Sequence, residues 1–472
     1  MCRLALTLRE EQLSALRRLL FPDTGHEAMA YVLCGQVRCM DPISGQPLER
    51  FLARDIIPIP AEDVRASSPT HITVDTRALA RVLRLATDSG ATVMVVHSHR
   101  PGPAEFSLQD DADEPQLVEL AQHRNGSDTR LISMIVSEAG PITARVWYGT
   151  GSFARVDKVA VVGDRFSLPV ITSTTNEHSS EQIFARQILA LGPHFQELLG
   201  VLRIGIIGAG ATGSAVAMLL ARLGVNEFVV IDEDIVEDTN LNRLHGATFG
   251  DAEQGTPKIL VLERHIPSFR PGIKVHGIKS WVGHPDCRDA LRTCDVIFSC
   301  TDDHDGRLLL NRHAYFYLTP VIDMGIGIDF IDDETPRITD AAARVTTLLP
   351  GHRCLLCRGV IDPEIAREEA LERSNPEEYR RQKEEAYVRG GGAPSPSVVT
   401  YTTEVACMAV DELIQRLTGY RKTGSIAHRV RKYPLATDKT PGLNDSEIIC
   451  PLCQDSHYWG RGDMTPFLDR MG

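Results

Sequence analysis

No run of about 18 consecutive apolar residues occurs anywhere in the chain, so no transmembrane helix is predicted. Positive charge is also in short supply. Fifty lysines and arginines stand against 63 aspartates and glutamates, a formal net charge of -13. That balance argues against nucleic acid and against an anionic membrane surface as partners. The N-terminal stretch MCRLALTLREEQ breaks into charge before an apolar signal core can form. Together these absences predict a soluble, cytoplasmic protein. There is no internal repeat and no long low-complexity tract. The 11 cysteines then read as metal ligands, core residues or nucleophiles in preference to disulfides. At 472 residues the chain is too long for one ordinary core. Its chemistry-bearing motifs divide it into two modules.

The densest chemistry is His97-Ser98-His99 followed by Ser107 and Asp110, in the pattern H-x-H-x7-S-x2-D. Residues 91–96 (ATVMVV) ahead of it read as a short buried strand. Two histidines at i and i+2 on a strand project to the same side, because side chains alternate. A loop with Pro101, Gly102 and Pro103 returns the chain, and Asp110 can approach from the start of the next helix. Two nitrogens, one oxygen and an open position match the stoichiometry of a catalytic zinc site. Alone, H-x-H reads better as a polar strand end, with Ser107 a helix cap. The complete pattern favours the metal.

That pattern resembles the JAMM metalloproteases (MPN-type, JAB), which cut the bond after a ubiquitin-like C-terminus. The resemblance implies His97, His99 and Asp110 as ligands of a catalytic zinc. It implies Glu27 as general base and Ser107 as a group that stabilises the oxyanion. Glu27 sits in Gly25-His26-Glu27-Ala28, ahead of the apolar strand at residues 31–35 (YVLCG). Arg100 stands where many members have proline, and the proline here follows at 101.

A second signal begins at residues 201–207 (VLRIGII), an apolar strand running into Gly208-Ala209-Gly210-Ala211-Thr212-Gly213. A helical stretch at 214–223 follows, then a strand at 227–231 that ends on Asp232, 19 residues after Gly213. Strand, glycine turn, helix, strand and acidic tip form a nucleotide-binding layout. The glycines let backbone approach phosphates, and the helix N-terminus offers free N–H donors. On that evidence alone, an NAD-dependent oxidoreductase is the default reading.

Further residues tip the balance. Residues 232–243 read DEDIVEDTNLNR, Lys258 follows, and Ser299-Cys300-Thr301-Asp302 comes later. This set resembles the adenylating domain of the family containing ThiF, MoeB and the ubiquitin-activating enzymes. The resemblance implies ATP and Mg²⁺ as cofactors, with Gly208, Gly210, Gly213 and Asp232 as the nucleotide cradle. It implies Asn240, Arg243 and Lys258 at the phosphates and Asp302 as a residue that helps hold Mg²⁺. Arg186, in Phe184-Ala185-Arg186-Gln187, would reach the nucleotide of a partner subunit, which implies a homodimer. Joining a carboxylate to AMP requires cations around the α-phosphate while pyrophosphate leaves.

Cys354-x2-Cys357 and Cys450-x2-Cys453 form two knuckles separated by 92 residues. Four thiolates bind zinc tetrahedrally and close it to water, so this second zinc is predicted to be structural. The paired layout is also that of the adenylating family. In that family the crossover loop, here about 358–403, lies close to the cysteine of members that form a thioester. Residues 358–403 contain no cysteine. Cys407 is the nearest, and its neighbours Val405, Met408 and Val410 make it read as a buried core thiol. Cys300 reads as a small buried hydrophobe at a strand end. Adenylation without a covalent thioester is therefore expected, the acyl-adenylate passing directly to a partner's thiol or amine.

The predicted architecture is α/β throughout. Residues 1–172 form an α-β-α JAMM/MPN domain, 173–180 (STTNEHSS) a linker, and 181–472 a Rossmann-like ThiF-type domain with a mostly parallel sheet. The expected function is bifunctional: a zinc isopeptidase or C-terminal processing protease, plus ATP-dependent adenylation of a C-terminal glycine. The expected partners are a ubiquitin-like protein with that glycine and a conjugating enzyme. Such fusions resemble bacterial ubiquitin-like conjugation systems, some linked to phage defence. Three alternatives stay open: a sulfur-carrier adenylyltransferase for cofactor or cysteine biosynthesis, a Rossmann oxidoreductase, and a non-catalytic scaffold.

Overall fold

The structure, a computed structural model, describes residues 2–100, 104–138, 140, 142–167, 180–331, 337–384, 396–441 and 450–463. The loop at 101–103, the linker at 173–179 and the loop at 390–395 lie outside the described residues. Two compact units are present. The first comprises residues up to 167 with 316–318 and 459–463, and the second the remainder.

The first unit is built on strands β1 (Arg3–Arg9), β2 (Met29–Met40), β3 (Pro47–Pro58), β4 (Val64–Ser68), β5 (His71–Val74), β6 (Thr92–His99), β7 (Leu131–Ser137), β8 (Ile142–Gly149), β9 (Ser152–Arg155) and β10 (Lys158–Val162). Its helices are α1 (Glu10–Leu20), α2 (Thr76–Ser89) and α3 (Leu108–Asn125). Eight strands form a mixed sheet in the order β10-β1-β3-β2-β6-β7-β8-β9, and β4 and β5 pair separately. Alternation along β2 explains the layering. Ala30, Val32 and Cys34 join a core with Leu16 and Leu20 of α1. Tyr31 and Leu33 point the other way, into a core with Leu79 and Leu83 of α2 and Val118 of α3. A sheet covered on both faces needs apolar residues at odd and even positions alike, and β2 has them. The α-β-α expectation holds.

The second unit contains α4 (Ser180–Leu191), α5 (Pro193–Val201), β11 (Arg203–Ile207), α6 (Ala211–Leu223), β12 (Glu227–Ile231), α7 (Phe249–Gln254), α8 (Lys258–His265) and β13 (Lys274–Ile278). It continues with α9 (Arg288–Thr293), β14 (Val296–Ser299), α10 (His304–Phe316), β15 (Val321–Ile331), β16 (Arg337–Leu348), α11 (Pro363–Ser374), α12 (Pro376–Glu384), α13 (Val399–Thr418), β17 (His428–Lys432) and β18 (Thr437–Lys439). The sheet order is β13-β12-β11-β14-β15-β16-β17-β18. Pairings are parallel from β13 to β15 and antiparallel from β15 to β18. Every residue of β11 is buried, as a central parallel strand with helices on both faces requires. The Rossmann-like half therefore carries an antiparallel extension beyond β15. The charged stretch after the first knuckle is helical over α11 and α12, opposite charges a turn apart supporting a solvated helix.

Candidate active sites

In the first unit, the end of β6 and the start of α3 bring the predicted ligands together. His97 and His99 share one face of β6, and their Nε2 atoms lie 3.2 Å apart. Asp110 Oδ1 is 3.1 Å from His97 Nε2, and Oδ2 is 3.5 Å from His99 Nε2. One ligand atom from each of the three residues falls within 4.8 Å of the others. Two imidazoles and a carboxylate at that spacing fit a divalent metal with room for further ligands. Ser107 is the N-cap of α3: its hydroxyl accepts from the Asp110 backbone N–H and donates to Asp110 Oδ2 at 2.7 Å. It is both a helix cap and a direct partner of the carboxylate.

Glu27 sits just before β2 and is 8% exposed. Its backbone is pinned on both sides, the N–H to Ser68 O at 2.8 Å and the carbonyl by the Ser67 hydroxyl at 2.9 Å. Burial pushes its carboxyl above the usual range, while His99 and His97 pull the other way. Asp110 behaves oppositely. Burial raises it, but hydrogen bonds from His97 and His99 outweigh burial and hold it well below the carboxylate range. The two carboxyls of the site are therefore driven apart, one towards holding a proton and one towards permanent charge.

Sequence reasoning missed Arg145 of β8. It is 2% exposed and ion-paired to Asp111 and Glu114, which follow Asp110 on α3. The available signal was an arginine within the apolar run 142–148 (ITARVWY), at the same strand parity as Trp147.

In the second unit, the turn after β11 forms a tight cradle. Gly208 has φ +91, and a Cβ there would lie 2.8 Å from the Cys300 carbonyl. A Cβ on Gly213 would collide with the Gly208 carbonyl, whereas Gly210 faces open space. Asp232, at the end of β12, accepts from the Ala209 N–H at 2.6 Å and from the Asp234 N–H at 2.8 Å. Burial raises its carboxyl, partly offset by Lys258. Lys258 Nζ is 2.7 Å from Asp234 Oδ2. Asn240 closes a capping turn with Glu237, and Arg243 is half-buried on the same turn, 3.0 Å from Asn242 Oδ1. Asp302 is exposed in the loop after β14, its carbonyl held by Arg307 at 3.2 Å. Arg186 lies elsewhere, exposed on α4.

A buried charge cluster beside Asp302 was also missed. Asp323, fully buried, accepts from Ser299 Oγ at 2.7 Å and pairs with Arg344 and Arg307. Its parts come from four elements, β14, α10, β15 and β16, and nothing local in the sequence links them.

Cys354, Cys357, Cys450 and Cys453 converge with their sulfurs within 4.8 Å. Such a tetrad suits a soft divalent ion in tetrahedral coordination. Cys407 requires a correction: it is exposed, not a core thiol. Helical spacing sets it between Glu404 and Asp411, on the face opposite the buried Val405, Ala409 and Leu413. Burial of its sulfur and the two carboxylates raise the thiol. Cys300 is half-buried rather than fully buried, and burial raises it strongly.

The chain matches the ThiF family over residues 184–447 and the prokaryotic homologs of the JAB domain over residues 9–148. It is 30% identical over 168 residues to the sulfur carrier protein ThiS adenylyltransferase of Bacillus subtilis, covering 34% of this chain and 49% of that protein. It is 28% identical over 176 residues to the SAMP-activating enzyme E1 of Haloferax volcanii, covering 37% and 60%. Both matches leave a large part of the relative uncovered. A solved structure of Escherichia coli MccB with ATP is similar at 18% identity and a TM-score of 0.42, over 59% of this chain and 75% of that one.

Proposed function

Because the chain belongs to the ThiF family and carries a JAB-type domain ahead of its ThiF domain, we propose that it performs two reactions on one class of substrate. One is ATP-dependent adenylation of the C-terminal glycine of a ubiquitin-like protein. The other is zinc-dependent cleavage of the bond that follows such a glycine. The observation that carries this pairing is the convergence of His97, His99 and Asp110 in a chain whose other half keeps the adenylating residues.

In the peptidase half, His97, His99 and Asp110 would hold zinc. When bound, the ion would supply Lewis acidity to the site. Glu27, with its raised proton affinity, takes a proton from the attacking water and returns it to the departing amine. Ser107 orients Asp110 in the resting site, and its single O–H turns from Asp110 Oδ2 to the developing oxyanion.

In the adenylating half, a glycine carboxylate oxygen attacks the α-phosphorus of ATP. The bond to pyrophosphate breaks and an acyl-adenylate forms. Arg243, Lys258 and Arg186 from a second copy balance the charge, which makes a homodimer the working assembly. Asp302 would help hold the Mg²⁺ that accompanies ATP, and Asp232 takes the ribose hydroxyls. A second, structural zinc would be held by Cys354, Cys357, Cys450 and Cys453.

The crossover stretch 358–403 has no cysteine, so the adenylate is handed directly to an outside thiol or amine. A conjugating enzyme is one such acceptor. A sulfur donor is the other, and it is favoured by the sulfur-carrier relative named above.

The deciding measurement is ATP–pyrophosphate exchange with small proteins that end in diglycine. Exchange that requires the terminal glycine supports the assignment, whereas tight NAD binding without exchange sinks it. Mass spectrometry of the product, conjugate or thiocarboxylate, separates the two acceptors.

A further inference from the structure

We propose that Arg145 is a positioning residue for the metal site, acting through Asp110; the inference rests on reading His97, His99 and Asp110 as ligands. Arg145 lies opposite Ser133 of β7, and Ser133 lies opposite Val95 of β6. Facing residues of neighbouring strands share a side of the sheet, and Val95 shares its side with His97 and His99. The guanidinium therefore sits on the ligand side, between the sheet and α3.

Its surroundings are specific. Nε is 2.8 Å from Glu114 Oε2, and Nη1 is 2.5 Å from Asp111 Oδ1. The rings of Phe106, Trp147 and Phe153 have centroids 3.8, 4.9 and 4.8 Å from its central carbon. Trp147 also donates its indole N–H to Glu114.

Phe106 immediately precedes Ser107, Asp111 immediately follows Asp110, and Glu114 lies one turn further along. One planar cation thus fastens both sides of the junction that presents the carboxylate ligand. Stability is a weak reason to bury such an ion. Desolvating the guanidinium and the Glu114 carboxylate costs about as much as their attraction returns, and Asp111 stays half exposed. What the arrangement supplies is a fixed approach of α3 to β6, and a metal site needs its ligands held within a fraction of an ångström. Lysine cannot replace it, having neither the plane to stack nor the fork to bridge two carboxylates.

The test uses the full chain and zinc affinity at this site, measured by chelator competition. The site is identified as the one lost in His97→Ala. Its cobalt(II) absorption spectrum is recorded alongside. Arg145→Lys is expected to weaken zinc by about 10–100-fold, the range for residues that orient ligands, and to change the cobalt spectrum with the fold retained. Phe106→Leu, a milder change, shifts both in the same direction and carries the test if Arg145→Lys does not fold. In an Asp110→Ala background, Arg145→Lys adds no further loss, because its effect runs through that carboxylate. Unchanged affinity in folded Arg145→Lys, or a full additive loss without Asp110, overturns the positioning role. A wild-type chain that binds zinc only at the four cysteines overturns the ligand reading itself.

Discussion

Met29 stands directly opposite His97 across the antiparallel pair of β2 and β6. Ala28 and Ser98 continue the pairing, with the Ser98 N–H on the Ala28 carbonyl at 3.1 Å. One further step brings Glu27 level with His99, on the ligand face. Glu27→Gln should therefore reduce peptide cleavage by about 10²–10⁴-fold, the usual worth of a general base, while zinc stays bound. Because Glu27 is raised, wild-type cleavage should fall on acidification at a pH above the ordinary glutamate range. That limb should disappear from the residual rate of Glu27→Gln. A pH–rate profile that is unchanged by the substitution would remove Glu27 from the mechanism.

The two proposed sites lie in separate units, so the proposed activities should fail separately. His97→Ala is expected to abolish cleavage and leave pyrophosphate exchange at the wild-type rate. Asp302→Ala should do the reverse. Steady-state assays of both reactions on both variants decide the matter, and loss of both activities in either variant contradicts a two-site protein.

His428 offers a stability test of the second unit. Burial, aided by Arg358 and Arg344, lowers its imidazole from 6.5 to about 4, and Thr346 Oγ1 lies 2.9 Å from its Nδ1. A base whose folded pKa is depressed adds stability above its unfolded value and loses it as pH falls towards the folded one. Unfolding temperature should therefore drop between about pH 6.5 and 4, more steeply in wild type than in His428→Gln. Parallel curves would mean that His428 is not buried in its neutral form.

The H-x-H pair on a strand, the glycine turn after β11 and the C-x2-C knuckles all follow from spacing along one element. Glu27 is brought level with the histidines by a strand pairing some 70 residues distant, so its place rested on resemblance alone. Arg145 needed knowledge of which face of β8 meets α3. Asp323 draws its partners from β14, α10 and β16. Cys407 is different, because Glu404 and Asp411 were visible at i-3 and i+4. The apolar residues beside it in sequence belong to other faces of α13, and adjacency was given more weight than period.

That misreading bears on the chemistry of transfer. An exposed cysteine close to a crossover segment invites a thioester, yet nucleophilicity depends on the thiolate. Burial of its sulfur, together with the flanking Glu404 and Asp411, raises the Cys407 thiol, which leaves it mostly protonated at neutral pH. Among the described residues, neither a helix N-terminus nor a cation acts to ionise it: the thiol sits in the middle of α13. Cys407→Ser should therefore leave both exchange and product formation unchanged. Non-reducing gels of wild type with ATP and its carrier should show no thiol-sensitive adduct. An adduct that vanishes in Cys407→Ser would mean that carrier binding rearranges these carboxylates, and direct transfer from the adenylate would have to be abandoned.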